Sequence, residues 1–241
     1  MVKYQTIRRP IVITTAVLFH LLLIFHLLFS PVIIVVASQK GIINASVIAF
    51  LTIFSLSLFF GRAYCSWFCP GCGIQEVVSI ILKRKAKSTK ANYIKYIIFI
   101  LWIGFIIVGY LVNGIHQVDL TFGMTDFTVG RKIILTVGAF LIIVPITAVF
   151  GRFASCKYLC WQAPFMILGT AIRDSFHFRG LRLKAEKELC TSCGSCNVSC
   201  PMDIDVAARV KSGQMADHEC ILCGNCIDGC KHQVIRYSTD K

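Results

Sequence analysis

The sequence predicts an all-α membrane domain of four transmembrane helices, arranged as two repeated hairpins, followed by a small cysteine-rich α+β domain. Three observations support this fold class. The chain of 241 residues is 56% hydrophobic and 15% charged, with a mean hydropathy of +0.72, which is too apolar for an ordinary soluble domain. Four long apolar runs precede residue 151, and most of the 13 cysteines lie in two short runs near the C-terminus.

Each apolar run is close to the ~20 residues that cross the core of a bilayer. No Asp, Glu, Lys or Arg interrupts the runs except Lys95, near the start of the third. The first run is longer than the apolar core of a cleavable signal sequence, so we expect it to be a helix of the protein itself. The predicted spans are residues 11–37, 43–60, 93–112 and 133–150.

Basic residues predict the orientation of these helices. They precede the first span and crowd the connection between the second and third, whereas the opposite loops hold Lys40, Asp119 and Asp126. Because positive charge marks the cytoplasmic side, we expect a multi-pass protein of the cell membrane with both termini in the cytoplasm. The net charge of +13 then favours contact with anionic membrane lipids over nucleic acid. The basic residues concerned are Lys3, Arg8, Arg9, Lys83, Arg84, Lys85, Lys87, Lys90 and Lys95.

Two runs in the C-terminal part have the spacing C-x2-C-x2-C-x3-C: CTSCGSCNVSCP from residue 190 and CILCGNCIDGCK from residue 220. Bacterial-type ferredoxins with two [4Fe-4S] clusters have this ligand spacing, and the fourth cysteine of each run binds the other cluster. A zinc site would stop at four ligands, and disulfides are not expected on the cytoplasmic side. The crossing rule predicts one cluster on Cys190, Cys193, Cys196 and Cys230, and a second on Cys220, Cys223, Cys226 and Cys200.

The second run ends in Lys231 where the usual pattern has proline. A positive charge beside a ligand is expected to raise the potential of the nearby cluster and leaves the ligand count intact. Between the runs, residues 206–211 are predicted as a short helix, and VIRYS after the second run as a strand. We expect a membrane domain at 1–172, a linker at 173–186 and a ferredoxin domain at 187–241.

The membrane part contains an internal repeat. FFGRAYCSWFC at residues 59–69 is echoed by VFGRFASCKYLC at 149–160, and the second copy has one extra residue before its first cysteine. A C-x3-C pair on a helix places its two sulfurs about one turn apart. Two such pairs at equal depth offer four thiolates, the number that a third [4Fe-4S] cluster needs. The predicted ligands are Cys65, Cys69, Cys156 and Cys160.

Two other roles for these thiols stay open. They could pack as small hydrophobes, or form dithiol couples that transfer two electrons at a time. Cys72 completes C-x3-C-x2-C, the spacing of radical-SAM enzymes, but no β/α barrel pattern surrounds it. Cys72 is therefore either a substitute ligand or a spare thiol.

Histidines and arginines near the motifs are further candidates. His20 and His26 are six positions apart and do not share a helix face, which disfavours a haem site. Together with His116 they could form hydrogen bonds and exchange protons at a quinone site, or simply pack between helices. Arg62 and Arg152 could stabilise thiolates or an anionic cluster, or extend to lipid headgroups.

These motifs resemble the NapH-like family of membrane-bound polyferredoxins. The resemblance rests on GRAYCSWFCP at 61–70, the weaker GRFASCKYLC at 151–160 and both ferredoxin-type runs, and with the four spans it covers nearly the whole chain. It implies clusters that relay electrons between a quinol or soluble donor and a partner redox protein. The second motif departs from the family pattern, because Pro164 lies three positions beyond the expected place.

We therefore expect an integral membrane electron-transfer subunit rather than a stand-alone enzyme. Its expected cofactors are two [4Fe-4S] clusters, a third at the membrane surface and a quinone, and its expected partners are membrane lipids and redox proteins. The alternative is a redox-active assembly or regulatory factor for a metalloenzyme. The near absence of intramembrane acids disfavours a subunit of an ion pump.

Overall fold

The computed structural model describes residues 3–25, 30–82, 90–123 and 128–239. His26, Asp126 and the basic residues at 83–87 lie outside these ranges. The described N-terminal part is helical, apart from two strands that pair in parallel, β1 (Ile42–Ile43) and β2 (Gln117–Val118). Its helices are α1 (Tyr4–Phe25), α2 (Pro31–Gln39), α3 (Ala45–Phe60), α4 (Ala63–Trp67), α5 (Pro70–Ile81), α6 (Tyr93–Asn113), α7 (Val129–Phe150), α8 (Ala154–Tyr158) and α9 (Gln162–Ser175).

The first predicted span, residues 11–37, is not one helix. α1 ends at Phe25, and α2 begins at Pro31 after Ser30, whose φ of −138° and ψ of 138° are extended. The Ser30 hydroxyl accepts a hydrogen bond from the N–H of Val32. Because a residue before proline avoids the helical conformation and proline lacks an N–H, the Ser-Pro pair begins a new helix.

The other predicted spans each correspond to one helix. Among the described residues, α6 and residues 133–150 of α7 are long and apolar enough to cross a membrane, as predicted for the third and fourth spans. α3 has 16 residues, about 24 Å at the helical rise, which is shorter than the ~30 Å of a hydrocarbon core. The count of four transmembrane helices thus stays a prediction.

The internal repeat forms two matching units, α3–α4–α5 and α7–α8–α9. Gly61 and Gly151 end the long helices with φ of 56° and 103°, which side-chain-bearing residues rarely adopt, so each Phe-Gly-Arg supplies a glycine where the chain turns into its motif. The extra residue of the second copy is absorbed by Phe153 at a left-handed φ of 56°, where the first copy has Arg62 at −90°.

α5 lies in a stretch that the sequence predicts only as a basic connection. It packs against α1 and α7, while α9 packs against α3 and α6, so that each unit crosses onto the long helix of the other. At Gly73 the backbone of α1 approaches so closely that a Cβ would clash with the carbonyl oxygen of Val12. This crossed packing gathers both C-x3-C segments at one end of the bundle.

The C-terminal module pairs β3 (Arg182–Ala185) with β4 (Ile235–Ser238) in an antiparallel register that places Leu183 opposite Tyr237. β3 lies in the stretch 173–186 that the sequence predicts as a linker, and Leu183 packs into the core of the module with Val210. Because burial of the apolar Leu183 side chain is favourable, the end of the 173–186 stretch is part of the module. Its helices are α10 (Ser195–Ser199), α11 (Val206–Ser212) and α12 (Asn225–Asp228).

Candidate iron–sulfur sites

The first cavity of the module is lined by the four cysteines that the crossing rule groups together. Its volume is about 20 Å³, and α10, α11 and the turn before β4 enclose it. Cys193 is exposed, whereas Cys196 is buried. The four cysteines are Cys190, Cys193, Cys196 and Cys230.

The second cavity, of about 30 Å³, is lined by the other crossed set. Its remaining walls are mostly apolar and include Met202, Ile221 and Val206. It lies beside the helical part of the protein, since Ile221 and Cys223 pack in one buried cluster with residues of α4 and α8. The four cysteines are Cys200, Cys220, Cys223 and Cys226.

Both cysteine loops have the same backbone conformation. The residue before the second cysteine has a positive φ in each loop, 58° at Ser192 and 50° at Leu222. The glycine after that cysteine is also left-handed, with φ of 72° at Gly194 and 74° at Gly224. Alternation of this kind turns successive backbone N–H groups toward one concavity, an arrangement found at anion and iron–sulfur sites.

At the end of the helix bundle next to the module, the two C-x3-C motifs lie side by side. Cys65 and Cys156, the first cysteine of each, belong to one buried cluster, and Cys69 packs against it. Cys72 is fully buried in the same cluster. Within the described residues, no three His, Cys, Asp or Glu side chains are close enough together to hold a single metal ion.

A cavity of about 660 Å³ inside the helix bundle reaches these thiols. Cys69, Cys156 and Cys160 border it, together with apolar side chains of α1, α3 and α7. His20 also lines it, and its Nδ1 lies 2.6 Å from the carbonyl oxygen of Ala16. The cavity is therefore largely apolar with a few polar groups, the usual character of a small-molecule site.

The loop of the second module run rests directly on α4. Ser66 Oγ donates a hydrogen bond to the carbonyl oxygen of Ile221 at 2.6 Å, and Trp67 Nε1 donates to that of Leu222 at 3.3 Å. The thiols of the C-x3-C motifs and the second cavity thus share one buried interface.

Three buried cations surround this interface, together with one buried carboxylate, Glu76, and one half-buried carboxylate, Glu219. Arg62 Nη1 donates to Glu219 Oε2 at 2.9 Å, and Lys95 Nζ contacts the other oxygen of Glu219. Arg8 Nη2 donates to Glu76 Oε2 at 2.6 Å. Burial lowers the pKa of Arg62, but the neighbouring Cys65 and Glu219 outweigh this effect and raise it, so the guanidinium stays charged beside the thiols.

Thiol pKa values differ between the sites because their surroundings differ. Burial raises the pKa of Cys160 and of Cys220 to about 12. A hydrogen bond from Cys72, with another from Gln75, lowers the pKa of Cys156. Since clusters bind thiolates, loading iron at the buried sites would release protons.

The structure separates the two arginines that the repeat predicts as equivalent. Arg62 is buried beside the thiols, whereas Arg152 Nη2 donates to the carbonyl oxygen of Val198 in the module at 3.0 Å. Sequence reasoning missed Glu219 and Gln75, since neither has a local pattern that would reveal its distant partner. The only sequence signal for Gln75 is its position after the first motif, which corresponds to that of Met166 after the second.

Family models match three parts of the chain. A "4Fe-4S binding domain" model matches residues 45–89 and 133–174, which contain the two copies of the repeat. A "4Fe-4S dicluster domain" model matches residues 182–231. Together these matches cover more than half of the chain.

Similar proteins come from an archaeon and a bacterium. An uncharacterized protein of Methanocaldococcus jannaschii is 25% identical over 83% of this chain and 81% of its own length. YccM of Escherichia coli K12, named for electron transport, is 24% identical over 81% of this chain and 56% of its own length. The ferredoxin-type protein NapH of the same bacterium is 23% identical over 74% of this chain and 62% of its own length.

No solved structure matches the chain significantly. The two domain matches and the likeness to NapH and YccM agree with the cysteine motifs and with their places in the fold. This chain belongs to the NapH-like family of [4Fe-4S] proteins.

Proposed function

We propose that this chain is an integral membrane protein that carries electrons between a quinol in the bilayer and a cytoplasmic redox protein. One observation carries the proposal: the membrane-edge thiols border the bundle cavity on one side and contact the second module cavity on the other. The electron transport and ferredoxin-type character in the names of YccM and NapH agree with it.

The side chains fit [4Fe-4S] clusters at three places. Two are the module cavities, with four thiols each and left-handed loops around them. At the third, Cys65 and Cys160 lie near Arg62, whose buried Nε has no hydrogen-bond partner among the described residues and whose charge would offset that of an anionic cluster. Clusters bound there would accept and release single electrons. The assigned ligands are the two crossed module sets and, for the third, Cys65, Cys69, Cys156 and Cys160.

A place in the membrane is supported by the outer surface of the bundle. Large apolar side chains of α6 and α7 point outward, and Leu111 and Ile134 are 79% and 70% exposed. So apolar an outer surface is expected of helices that face lipid. The basic residues at the module side, Lys3, Arg8 and Arg9, favour the cytoplasm for that side and for both termini.

The bundle cavity suits a quinol. Its volume of about 660 Å³ lies within the range of ~300–1,000 Å³ for small-molecule sites. Because His20 Nδ1 lies 2.6 Å from the carbonyl oxygen of Ala16, we assign the ring proton to Nδ1, which leaves Nε2 as an acceptor. A quinol hydroxyl could donate its hydrogen bond, and on oxidation its proton, to this nitrogen.

The test is the iron and acid-labile sulfide content of anaerobically purified protein, with EPR of the reduced form. Wild type should hold about twelve irons, and the Cys65→Ser/Cys156→Ser variant about eight. Cys72→Ser is the matched control. Cys72 is buried in the same group of packed side chains but is not an assigned ligand, so this variant should keep about twelve irons. About eight irons in both wild type and the double variant would reject the third cluster, and a loss confined to Cys72→Ser would reject the ligand assignment.

A further inference from the structure

Gln75 and Met166 occupy equivalent positions in the two repeats. The cysteines Cys65 and Cys156 correspond at a separation of 91 residues, and so do Gln75 and Met166. Gln75 lies on α5 and Met166 on α9, the helices that follow each motif. Because of the crossed packing, each reaches the first cysteine of the other copy.

The Gln75 amide is bonded on every side. Its Nε2 donates to Cys156 Sγ at 2.8 Å and to the carbonyl oxygen of Gly71 at 3.2 Å. Its Oε1 accepts the backbone N–H groups of Ser155 at 3.0 Å and Cys156 at 3.3 Å. The two backbone N–H groups can donate only to the amide oxygen of Gln75 and not to its NH₂ group. The orientation of the amide is therefore fixed, and one of its N–H groups points at the Cys156 sulfur.

Met166 makes a different contact at the matching place. Its Sδ lies 3.3 Å from Cys65 Sγ, and its side chain is fully buried. A thioether has no hydrogen to donate. The two sulfurs that correspond by symmetry therefore have unequal surroundings: Cys156 has the Gln75 amide and the Cys72 thiol as donors, whereas Cys65 has the Met166 thioether and the charged Arg62 side chain.

We propose that Gln75 sets the reduction potential of the cluster held by the membrane-edge cysteines, through the hydrogen bond that it donates to Cys156. This inference rests on the third cluster of the proposed function. Reduction adds negative charge to the cluster and its thiolates, and an N–H aimed at a ligand sulfur stabilises that charge. Gln75 thus makes this centre easier to reduce, which suits acceptance of electrons from a quinol. It is a positioning residue, since it acts through the ligand.

The experiment is an EPR redox titration of full-length variants, with the signal that is absent from Cys65→Ser/Cys156→Ser taken as that of the membrane-edge cluster. Gln75→Met, which copies the first-copy contact into the second, should lower its midpoint potential. Met166→Gln, which adds a donor at Cys65, should raise the potential above that of Met166→Leu, the control for altered packing. The potentials of the two module clusters should stay unchanged in all three variants.

Iron content separates the possible failures. If Gln75→Met loses about four irons, its amide is needed to build the site, and the comparison of Met166→Gln with Met166→Leu then decides the proposal. An unchanged potential in an iron-replete Gln75→Met, or equal potentials in the two Met166 variants, would overturn it. About eight irons in wild type would instead reject the third cluster itself.

Discussion

Lys95, near the start of α6, is fully buried and contacts the carboxylate of Glu219 from the C-terminal module. The second oxygen of that carboxylate accepts a hydrogen bond from Arg62, so one module side chain balances two buried cations. Burying a charge without a partner costs several kcal/mol. The lysine that interrupts a predicted span is therefore part of the attachment between module and bundle.

Replacing Glu219 by Gln should loosen this attachment. The change leaves two cations buried without an anion, and we expect a loss of about 3–5 kcal/mol, the usual cost of breaking a buried pair. Faster hydrogen exchange at residues 218–223 and a lower unfolding temperature would report it. The double variant Glu219→Gln/Lys95→Met should recover part of the lost stability, because it removes the charge of Lys95 together with that of its partner Glu219.

The matched control for Glu219→Gln is Glu188→Gln, which removes a carboxylate from an exposed ion pair. Glu188 is 83% exposed, and its oxygen lies 3.7 Å from Lys187. Exposed pairs contribute little, so we expect wild-type exchange and unfolding. Equal protection of residues 218–223 in Glu219→Gln and wild type would contradict the role given to Glu219.

Asp228 of the module caps the start of α1. Its carboxylate oxygens accept the backbone N–H groups of Tyr4 at 3.0 Å and Gln5 at 2.8 Å. Asp228→Ala should destabilise this helix end by about 1 kcal/mol, as loss of a capping side chain does. Hydrogen exchange of the first turn of α1 should rise, whereas Asp228→Asn, which keeps one acceptor, should change it less. An unaltered first turn in the alanine variant would show that the cap is dispensable.

The crossed ligand sets can be tested by combining substitutions. If Cys200 and Cys220 bind the same cluster, Cys200→Ser/Cys220→Ser should keep about eight of twelve irons, no fewer than either single variant. Cys200→Ser/Cys193→Ser should keep about four, since it damages both module clusters. Iron analysis and EPR of the purified variants decide between the arrangements. The reverse pattern would mean that each run binds its own cluster.

His20→Phe should block electron entry from quinol. The ring size is nearly kept, but a residue that lines the cavity loses its acceptor nitrogen, and loss of a general base lowers rates on the order of 10²-fold or more. The measurement is anaerobic reduction of the liposome-reconstituted protein by a water-insoluble quinol, followed by absorbance. Reduction by dithionite should not change, and His177→Ala, at an exposed histidine, should match wild type. Wild-type quinol rates in His20→Phe would remove this residue from the site.

Local sequence patterns predicted much of this architecture. Apolar length marked the helices α6 and α7, and the x2 and x3 spacings marked the module cysteines, because both signals are carried by residues close together in the chain. The repeat marked the two C-x3-C motifs for the same reason. The first span was wrong as a single helix, since its apolar composition outweighed the break at Ser30 and Pro31.

Other features depend on residues that are far apart in sequence. α5 and α9 each pack against the long helix of the opposite repeat. β3 belongs to the module because Leu183 packs in its hydrophobic core. The sequence by itself determined which residues can be helical, where thiols are concentrated and that the motifs occur twice. The tertiary structure alone decided that Glu219 meets Lys95 and that Gln75, unlike Met166, donates to a cysteine sulfur. Such contacts follow from the packing of whole helices, and no local spacing encodes them.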